Sequence, residues 1–379
     1  MSSQFDIDLT HDQEHPLPPD VINDWLPIRN KSVFHLLGFT KYPSNKTNYA
    51  IPLVFAPVLH EEVTMDFDYN SLLQLGPPVD SSVTKAYQAA IKLAIHSVTP
   101  IPHFGNPITL SAWIFNYWGE IKSAALYREQ WKAALVWLRS HSESPVTAGH
   151  CQEVLIAPSF FPWSGNNASV EDITSLLSQS PIQSYLSNFH INHMIGQISN
   201  QYKDLRGPEA SRRHIITTVD ILGAITTFYG SRRTPTKTGN ILWERLMEIE
   251  NHIIEGRIDS VSGVHYLPLH WVSVVFNIQE WSILYGDSLG QPLPKLERYA
   301  FTQWIRHLKF RSGQETGDDH APIHPLPTGH QDNSTSCGLF ALNAICHHDL
   351  SDPLLSPDQM SLVCNQMEIA LDLLHSNTV

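Results

Sequence analysis

Two apolar stretches separated by four residues constrain the fold of this chain more than any other feature. Residues 270–276 (HWVSVVF) alternate in polarity and are rich in β-branched side chains, which is the pattern of a strand. Residues 281–288 (WSILYGDS) have the same character, and the gap between the two stretches has the length of a hairpin loop. The sequence therefore predicts an antiparallel pair of strands in the last third of the chain.

Polar residues at the open end of this hairpin predict a base and its orienting carboxylate. In a register in which Phe276 faces Trp281, His270 lies directly opposite Asp287. Directly opposed residues have Cβ atoms roughly 5 Å apart, so that the Nδ1–H of an imidazole can reach a carboxylate. We expect Asp287 to orient His270 as a general base.

Cys337 is the predicted nucleophile. A loop rich in Gly, Pro, Asp, His and Ser precedes it over 311–336, and the apolar run 339–345 (LFALNAI) predicts a helix after it. A thiol at a helix N-terminus has a lowered pKa because the helix dipole and the free N–H groups favour an anion. Gln331, six residues upstream, can offer its amide N–H to an oxyanion beside the backbone N–H of Cys337. With His270, these residues form the set that a cysteine protease needs.

The other three cysteines are weaker candidates. Cys346 and Cys364 lie inside apolar helical patterns without a flanking Gly or an upstream Gln, and we expect them to be buried. Cys151 has His150 beside it but no carboxylate partner in a strand. So few cysteines in so long a chain do not predict a disulfide framework, and all four are expected to be thiols.

Composition narrows the class of protein. The chain has 379 residues, 42% of them hydrophobic and 16% charged, which indicates a globular protein with room for two domains. Its net charge of −13 argues against the basic face of a nucleic-acid-binding protein. The N-terminus lacks the pattern of a signal peptide, and no uncharged apolar stretch approaches the roughly 18 residues of a membrane span. We expect a soluble intracellular protein, of the nucleus or the cytoplasm, with neither nucleic acid nor a membrane as its partner.

No metal or other cofactor is expected. The histidine-rich segments 190–193 and 346–348 lack the ligand spacing of zinc sites. A glycine-rich phosphate loop, the sequence signal of a nucleotide site, is also missing from the chain.

Helical periodicity and turn residues predict how the chain is organised. Helices are predicted over 81–98, 109–141, 170–177, 185–198, 218–228 and 241–254. Two basic, turn-rich segments, 203–213 and 230–239, are predicted as loops, and 140–172 is predicted as a boundary segment. We therefore expect a mainly helical accessory region over 1–165 and a catalytic domain over 166–379.

The catalytic set resembles a known family, the Ulp/SENP-type cysteine peptidases, which process SUMO and related ubiquitin-like proteins. The family pattern of His-Trp, Asp-Ser, Gln and Cys-Gly is matched by His270-Trp271, Asp287-Ser288, Gln331 and Cys337-Gly338. The spacings from His to Asp and from Gln to Cys also match those of the family. Upstream, 185–192 (YLSNFHIN) is similar to the family's Trp-Leu-Asn-Asp-x-x-Ile-Asn segment.

This resemblance, which covers about 170–379, implies a fold and an activity. The fold is papain-like α+β, in which a central mixed sheet carries His270 and Asp287 and a flanking helix carries Cys337. The activity is hydrolysis after the C-terminal Gly-Gly of a SUMO-like modifier, in its conjugates or in its precursor. Ubiquitin and Nedd8 are alternative modifiers.

The resemblance also implies substrate-binding residues. Trp271 and Tyr185, which stands where the family has Trp, are expected to line a narrow channel for the Gly-Gly tail. Asn188 replaces an Asp that contacts the modifier, and the loss of a carboxylate changes which basic patch on a modifier is favoured.

Two other classes of function remain open at this point. An acyltransferase of related fold uses the same dyad, but such enzymes typically have Glu at the position of Asp287. A non-catalytic modifier-binding protein would have no need of His270, Asp287, Gln331 and Cys337 together.

Overall fold

The computed structural model describes residues 32–38, 97–98, 110–111, 113–142, 144–157, 169–178, 186–230, 240–314 and 321–376. The chain divides into two compact units. The first comprises 1–136, 152–174 and 374–379, and the second comprises 137–151 and 175–373.

The N-terminal half is mainly helical where it is described. Its elements are helix α1 (Val33–Gly38), the paired strands β1 (Ser97–Val98) and β2 (Leu110–Ser111), and helices α2 (Trp113–Ser140), α3 (Pro145–Ile156) and α4 (Val170–Ser178). The helix predicted over 170–177 is confirmed, and so is most of the one predicted over 109–141, although Leu110 and Ser111 form β2 before it. The predicted helix 81–98 lies outside the described residues except for its last two, which form β1 instead.

Helix α3 corrects the prediction that 140–172 is a continuous boundary segment. Ser144 lies directly before this helix, and its Oγ accepts a hydrogen bond of 3.1 Å from the backbone N–H of Thr147. Pro145 then occupies the first helical position, where a missing N–H costs nothing. The same Ser-Pro pair that indicates a boundary is therefore also the start signal of a helix.

A five-stranded mixed sheet forms the centre of the second unit. Its strands are β3 (His214–Thr217), β4 (Ser260–Leu267), β5 (His270–Asn277), β6 (Ser282–Gly286) and β7 (Ile323–Pro325), in that spatial order. The two outer pairs are parallel and the two inner pairs are antiparallel.

Helices cover both faces of this sheet. They are α5 (Asn188–Arg213), α6 (Val219–Gly230), α7 (Ile241–Ile254), α8 (Lys295–Arg311) and α9 (Cys337–Leu350). Helix α10 (Gln359–Ser376) follows α9 in the chain. Leu222 of α6, Leu246 of α7 and Trp304 of α8 share one buried apolar cluster with Val274 and Phe276 of β5. On the opposite face, Ser273 of β5 donates a hydrogen bond of 3.0 Å to a backbone carbonyl of α9. The predicted α+β class, with a mixed sheet and flanking helices, is confirmed.

The helices of this unit agree with the sequence pattern at most positions. The predicted helix 241–254 begins and ends where expected, and the Asn240 side chain caps it by accepting hydrogen bonds from two backbone N–H groups. The predicted loop at 203–213 is wrong, because α5 continues to Arg213. Gly207, whose φ of 81° and ψ of 169° are not helical, divides α5 into two helical segments just before Pro208. Of the other predicted loop, residues 231–239 lie outside the described part of the chain.

The predicted register of the hairpin is also wrong, by two residues. The observed pairs include Asn277 with Ser282 and Ser273 with Gly286. The turn takes up Trp281, whose φ of 53° removes it from the ladder, and an N–H of the turn is held by the side chain of Asn277. Because side chains alternate along a strand, a shift of two residues keeps every side chain on its predicted face.

No helix within the described residues combines the length and the apolarity needed to cross a lipid bilayer.

Candidate active site

His270 and Asp287 meet at the end of the central strands. A two-residue turn joins β4 to β5, so His270 is the first residue of β5, and Asp287 directly follows β6. The His270 Nε2 lies 3.0 Å from Asp287 Oδ1. The contact predicted from the sequence was through Nδ1. The use of Nε2 leaves Nδ1 as the ring nitrogen for the Cys337 thiol.

Every oxygen of the Asp287 carboxylate has a donor. Besides His270, Oδ1 accepts a hydrogen bond of 2.7 Å from the backbone N–H of Leu289. Oδ2 accepts one of 3.0 Å from the hydroxyl of Tyr285. Burial tends to raise the pKa of Asp287, but these hydrogen bonds outweigh it and hold the pKa below its usual value. The side chain is therefore a carboxylate at neutral pH.

The imidazole of His270 is stabilised in its protonated form. Burial tends to lower its pKa, but hydrogen bonds with Asp287 and Cys337 and the charges of both groups raise the pKa to about 9. An imidazolium that persists at neutral pH is the partner that a reactive thiolate requires.

Cys337 is the first residue of α9, as predicted, and its residue surface is 0% exposed. The next residue, Gly338, has a physical reason to lack a side chain. A Cβ at that position would lie 3.1 Å from Cβ of Leu186. Glycine therefore lets the first turn of α9 pack against the segment that leads into α5.

Gln331 is fixed at both ends of its side chain. Its Oε1 accepts a hydrogen bond of 2.5 Å from Ser288, and its Nε2 donates one of 2.6 Å to the backbone carbonyl of Asn333. Its backbone N–H also bonds the Ser288 carbonyl at 3.0 Å. An amide nitrogen carries two hydrogens, so the second one can serve another acceptor. The Asp287-Ser288 segment thus holds both the carboxylate of the triad and the orientation of this amide.

Asn333 shapes the loop that leads to Cys337, a role that the sequence reasoning missed. Its Oδ1 accepts hydrogen bonds from the backbone N–H groups of Thr335 (2.9 Å) and Ser336 (2.8 Å). Asparagine commonly stabilises turns in this way. The available sequence signal is an Asn shortly before a helix start, but this signal does not show which backbone N–H groups the side chain will bind.

The expected substrate-binding residues are only partly described. Trp271 is buried, and its Nε1–H donates a hydrogen bond of 3.0 Å to the backbone carbonyl of Leu186. The half-exposed ring of Tyr266 lies beside it, and the centroids of the two rings are 4.9 Å apart in an edge-on arrangement. Asn188 is exposed at the start of α5. Tyr185 lies outside the described residues, and the proposed channel stays a prediction.

The three other thiols lie in less favourable surroundings. Burial raises the pKa of Cys346 to about 12, and it also raises the pKa values of Cys151 and Cys364. Cys151 donates a hydrogen bond of 3.3 Å to a backbone carbonyl. Cys346 and Cys364 were expected to be buried, but both are only half-buried.

The profile of the Ulp1 protease family, C-terminal catalytic domain, matches residues 264–367. This segment belongs to the Ulp1 protease family. It includes His270, Asp287, Gln331 and Cys337, so the chain carries a protease domain of the cysteine class.

Solved structures of such domains are similar to this chain at low identity. One is the C-terminal Ulp1 protease domain in complex with Smt3, the yeast ortholog of SUMO (18% identity, 55% of this chain, 83% of that chain, TM-score 0.38). Another is the Ulp1-like SUMO protease catalytic domain of Chaetomium thermophilum (17% identity, 55% of this chain, 78% of that chain, TM-score 0.40). A search of curated proteins found no match. The family assignment rests on the profile and not on these distant likenesses.

Proposed function

We propose that this chain is a thiol protease that cleaves after the C-terminal Gly-Gly of a SUMO-like modifier. The observation that carries the proposal is the partly buried His270–Asp287 pair, whose imidazole has its pKa raised by Asp287 and by Cys337 at a helix start, within the segment that belongs to the Ulp1 family. SUMO is proposed as the modifier because the sequence resembles the Ulp/SENP-type peptidases. The enzyme would act in the nucleus or the cytoplasm, where its thiols stay reduced.

The reaction begins with attack by the Cys337 thiolate on the carbonyl carbon of the terminal glycine. The oxyanion that forms accepts hydrogen bonds from the free N–H of Gln331 and the backbone N–H of Cys337. His270, as imidazolium, gives its Nδ1 proton to the leaving amine. The C–N bond then breaks and a thioester remains.

The second half of the reaction restores the Cys337 thiolate and the His270 imidazolium. His270, now neutral, removes a proton from water, and the hydroxide oxygen attacks the thioester carbonyl. The C–S bond breaks, and the modifier leaves with a free C-terminal carboxylate. Asp287 keeps the imidazole oriented throughout and stabilises its protonated form.

Substrate recognition is proposed for two regions around this centre. Trp271 and Tyr185 would form the walls of the Gly-Gly channel, and Asn188 would contact the globular surface of the modifier. Residues 1–165 would form an accessory region that selects or recruits the conjugates, ahead of a catalytic domain over 166–379.

The test is hydrolysis of C-terminal fluorogenic amides of SUMO, ubiquitin and Nedd8 by the full chain. We expect turnover of the SUMO derivative, its loss in Cys337→Ala, and its retention in the matched control Cys346→Ala. Faster turnover of the ubiquitin or Nedd8 derivative would show that SUMO is the wrong modifier, but it would leave the proposed mechanism unchanged. Absence of turnover with all three, in a folded protein, would refute the proposed function. The SUMO precursor and a SUMO–lysine conjugate, tested side by side, separate processing from deconjugation.

A further inference from the structure

The carboxylate of Asp287 has two oxygens with different partners. Oδ1 faces His270 at 3.0 Å, whereas Oδ2 accepts the hydroxyl of Tyr285 at the same distance. The terminal torsion of an aspartate side chain is soft, with a broad distribution of angles. The backbone N–H of Leu289 also holds Oδ1, at 2.7 Å. A donor on the second oxygen adds to this hold and further restricts a rotation that would turn Oδ1 away from the imidazole.

Tyr285 is well placed to hold the carboxylate still. It lies in β6 between two neighbouring strands, pairing with Val274 on one side and Pro325 on the other. Its own carbonyl accepts a hydrogen bond of 2.9 Å from the backbone N–H of Leu326. The ring is buried in the apolar cluster of the sheet, so the phenol has little freedom to move.

The hydroxyl of Tyr285 remains a donor at every physiological pH. Burial raises the pKa of this phenol far above its usual value, and the charges of Asp287 and Glu297 raise it further. The charged groups that act on Tyr285 and Asp287 include the carboxylate of Glu297 and the imidazole of His270. The guanidinium of Arg298 lines the cavity beside them.

A cavity of about 710 Å³ opens onto this pair. Its wall includes Tyr285 and Asp287 but neither His270 nor Cys337. Solvent in the cavity can therefore approach the carboxylate without passing the reacting groups. The Tyr285 hydroxyl supplies a protein donor to Oδ2 in this cavity wall.

We propose that Tyr285 is a positioning residue of this active site, which holds the Asp287 carboxylate so that its other oxygen stays on His270. The inference rests on the proposed function insofar as His270 is the catalytic base. It adds a residue that acts through Asp287 and touches no reacting atom.

The test compares Tyr285→Phe, which removes only the hydroxyl, with Tyr229→Phe. Tyr229 is a matched control because its hydroxyl donates to the buried Glu250 at 2.6 Å, outside the catalytic set. A hydrogen bond to a charged group contributes enough to change a rate by about tenfold. We expect Tyr285→Phe to lower kcat by about tenfold with little change in KM, and Tyr229→Phe to leave both unchanged.

A second readout is the pKa of His270 in histidine-labelled protein, measured by NMR and assigned by comparison with His270→Gln. The bond with Asp287 helps to raise this pKa, so a carboxylate that can rotate should let the pKa fall in Tyr285→Phe. In an Asp287→Ala background, Tyr285→Phe should cause no further loss of kcat. This NMR readout needs no modifier, so it decides the inference even if no modifier derivative is cleaved.

Three results would overturn the inference. The first is an unchanged His270 pKa together with an unchanged kcat in Tyr285→Phe. The second is an equal change in Tyr229→Phe, which would indicate a general effect on packing. The third is an undiminished effect of Tyr285→Phe when Asp287 is already absent.

Discussion

Substitution of Ser288 by Ala should misorient Gln331 without removing it. The Ser288 hydroxyl donates to Gln331 Oε1 at 2.5 Å, and both side chains are almost fully buried. This contact distinguishes the two ends of the amide, because only the oxygen can accept it. Without it, only the bond from Nε2 to the Asn333 carbonyl orients the amide, and the oxygen end is freer to turn toward the oxyanion, which it would repel.

The size of the effect follows from the two interactions involved. Loss of an oxyanion donor, as in Gln331→Ala, lowers kcat by about 10²-fold or more. A buried neutral hydrogen bond contributes about 1 kcal/mol, which corresponds to a rate factor of about five. We therefore expect Ser288→Ala to lower kcat about fivefold, less than Gln331→Ala does. In the Gln331→Ala background it should have no effect.

The assay is single-turnover hydrolysis of the preferred modifier amide by the wild type, both single variants and the double variant. Ser282→Ala is the matched control, because this buried hydroxyl of β6 has no hydrogen-bond partner among the described residues. We expect it to retain the wild-type rate. A wild-type rate in Ser288→Ala would refute the reasoning, and so would the same fivefold loss in the double variant.

Three further predictions concern other parts of the molecule. The pKa of His270 is about 9, so the active imidazolium exists below that pH and is lost as the pH rises through it. We therefore expect kcat/KM to fall on the alkaline side near pH 9. A fall in kcat/KM already near pH 6.5 would contradict this. Gly338→Ala should lower activity and cost about 1–3 kcal/mol of unfolding free energy through overlap with Leu186. The control is Gly196→Ala in α5, where nothing lies within 4 Å of the added Cβ, and it should be neutral or stabilising by up to about 1 kcal/mol. Denaturant titration of both variants measures these free energies of unfolding, and equal losses in the two would refute the role of the Leu186 contact. Glu250→Ala should lower the melting temperature, because the buried Trp304 N–H and the partly buried Tyr229 hydroxyl lose their acceptor, at about 1–3 kcal/mol each for a fully buried donor. An unchanged melting temperature would contradict this.

The hairpin shows how far the sequence could predict this fold. Alternating polarity predicted strands β5 and β6 and the face on which each side chain lies. The register depended on Trp281, whose left-handed conformation inside the turn has no signal in the pattern. His270 and Asp287 nonetheless interact, since the error was an even number of residues.

Local rules explain the remaining misses. Gly207-Pro208 usually ends a helix, yet α5 continues through a kink there. Pro145 indicated a boundary and also begins α3. Ser288 contacts Gln331, which is distant in sequence. The contacts of Tyr285 and Asn333 are local but depend on the conformation of the chain after β6 and before α9. Periodicity predicts neither kind of contact.

Identification of the residue that reacts with a modifier probe is the most direct test of Cys337 as the nucleophile. The full chain is reacted with SUMO, ubiquitin and Nedd8 that carry a C-terminal electrophile, and the adduct is located by peptide mass spectrometry. We expect a single adduct of the SUMO probe on Cys337, formed more slowly in Asp287→Asn and absent in Cys337→Ala. Attachment to Cys151, Cys346 or Cys364, or no adduct with any of the three probes, would contradict it.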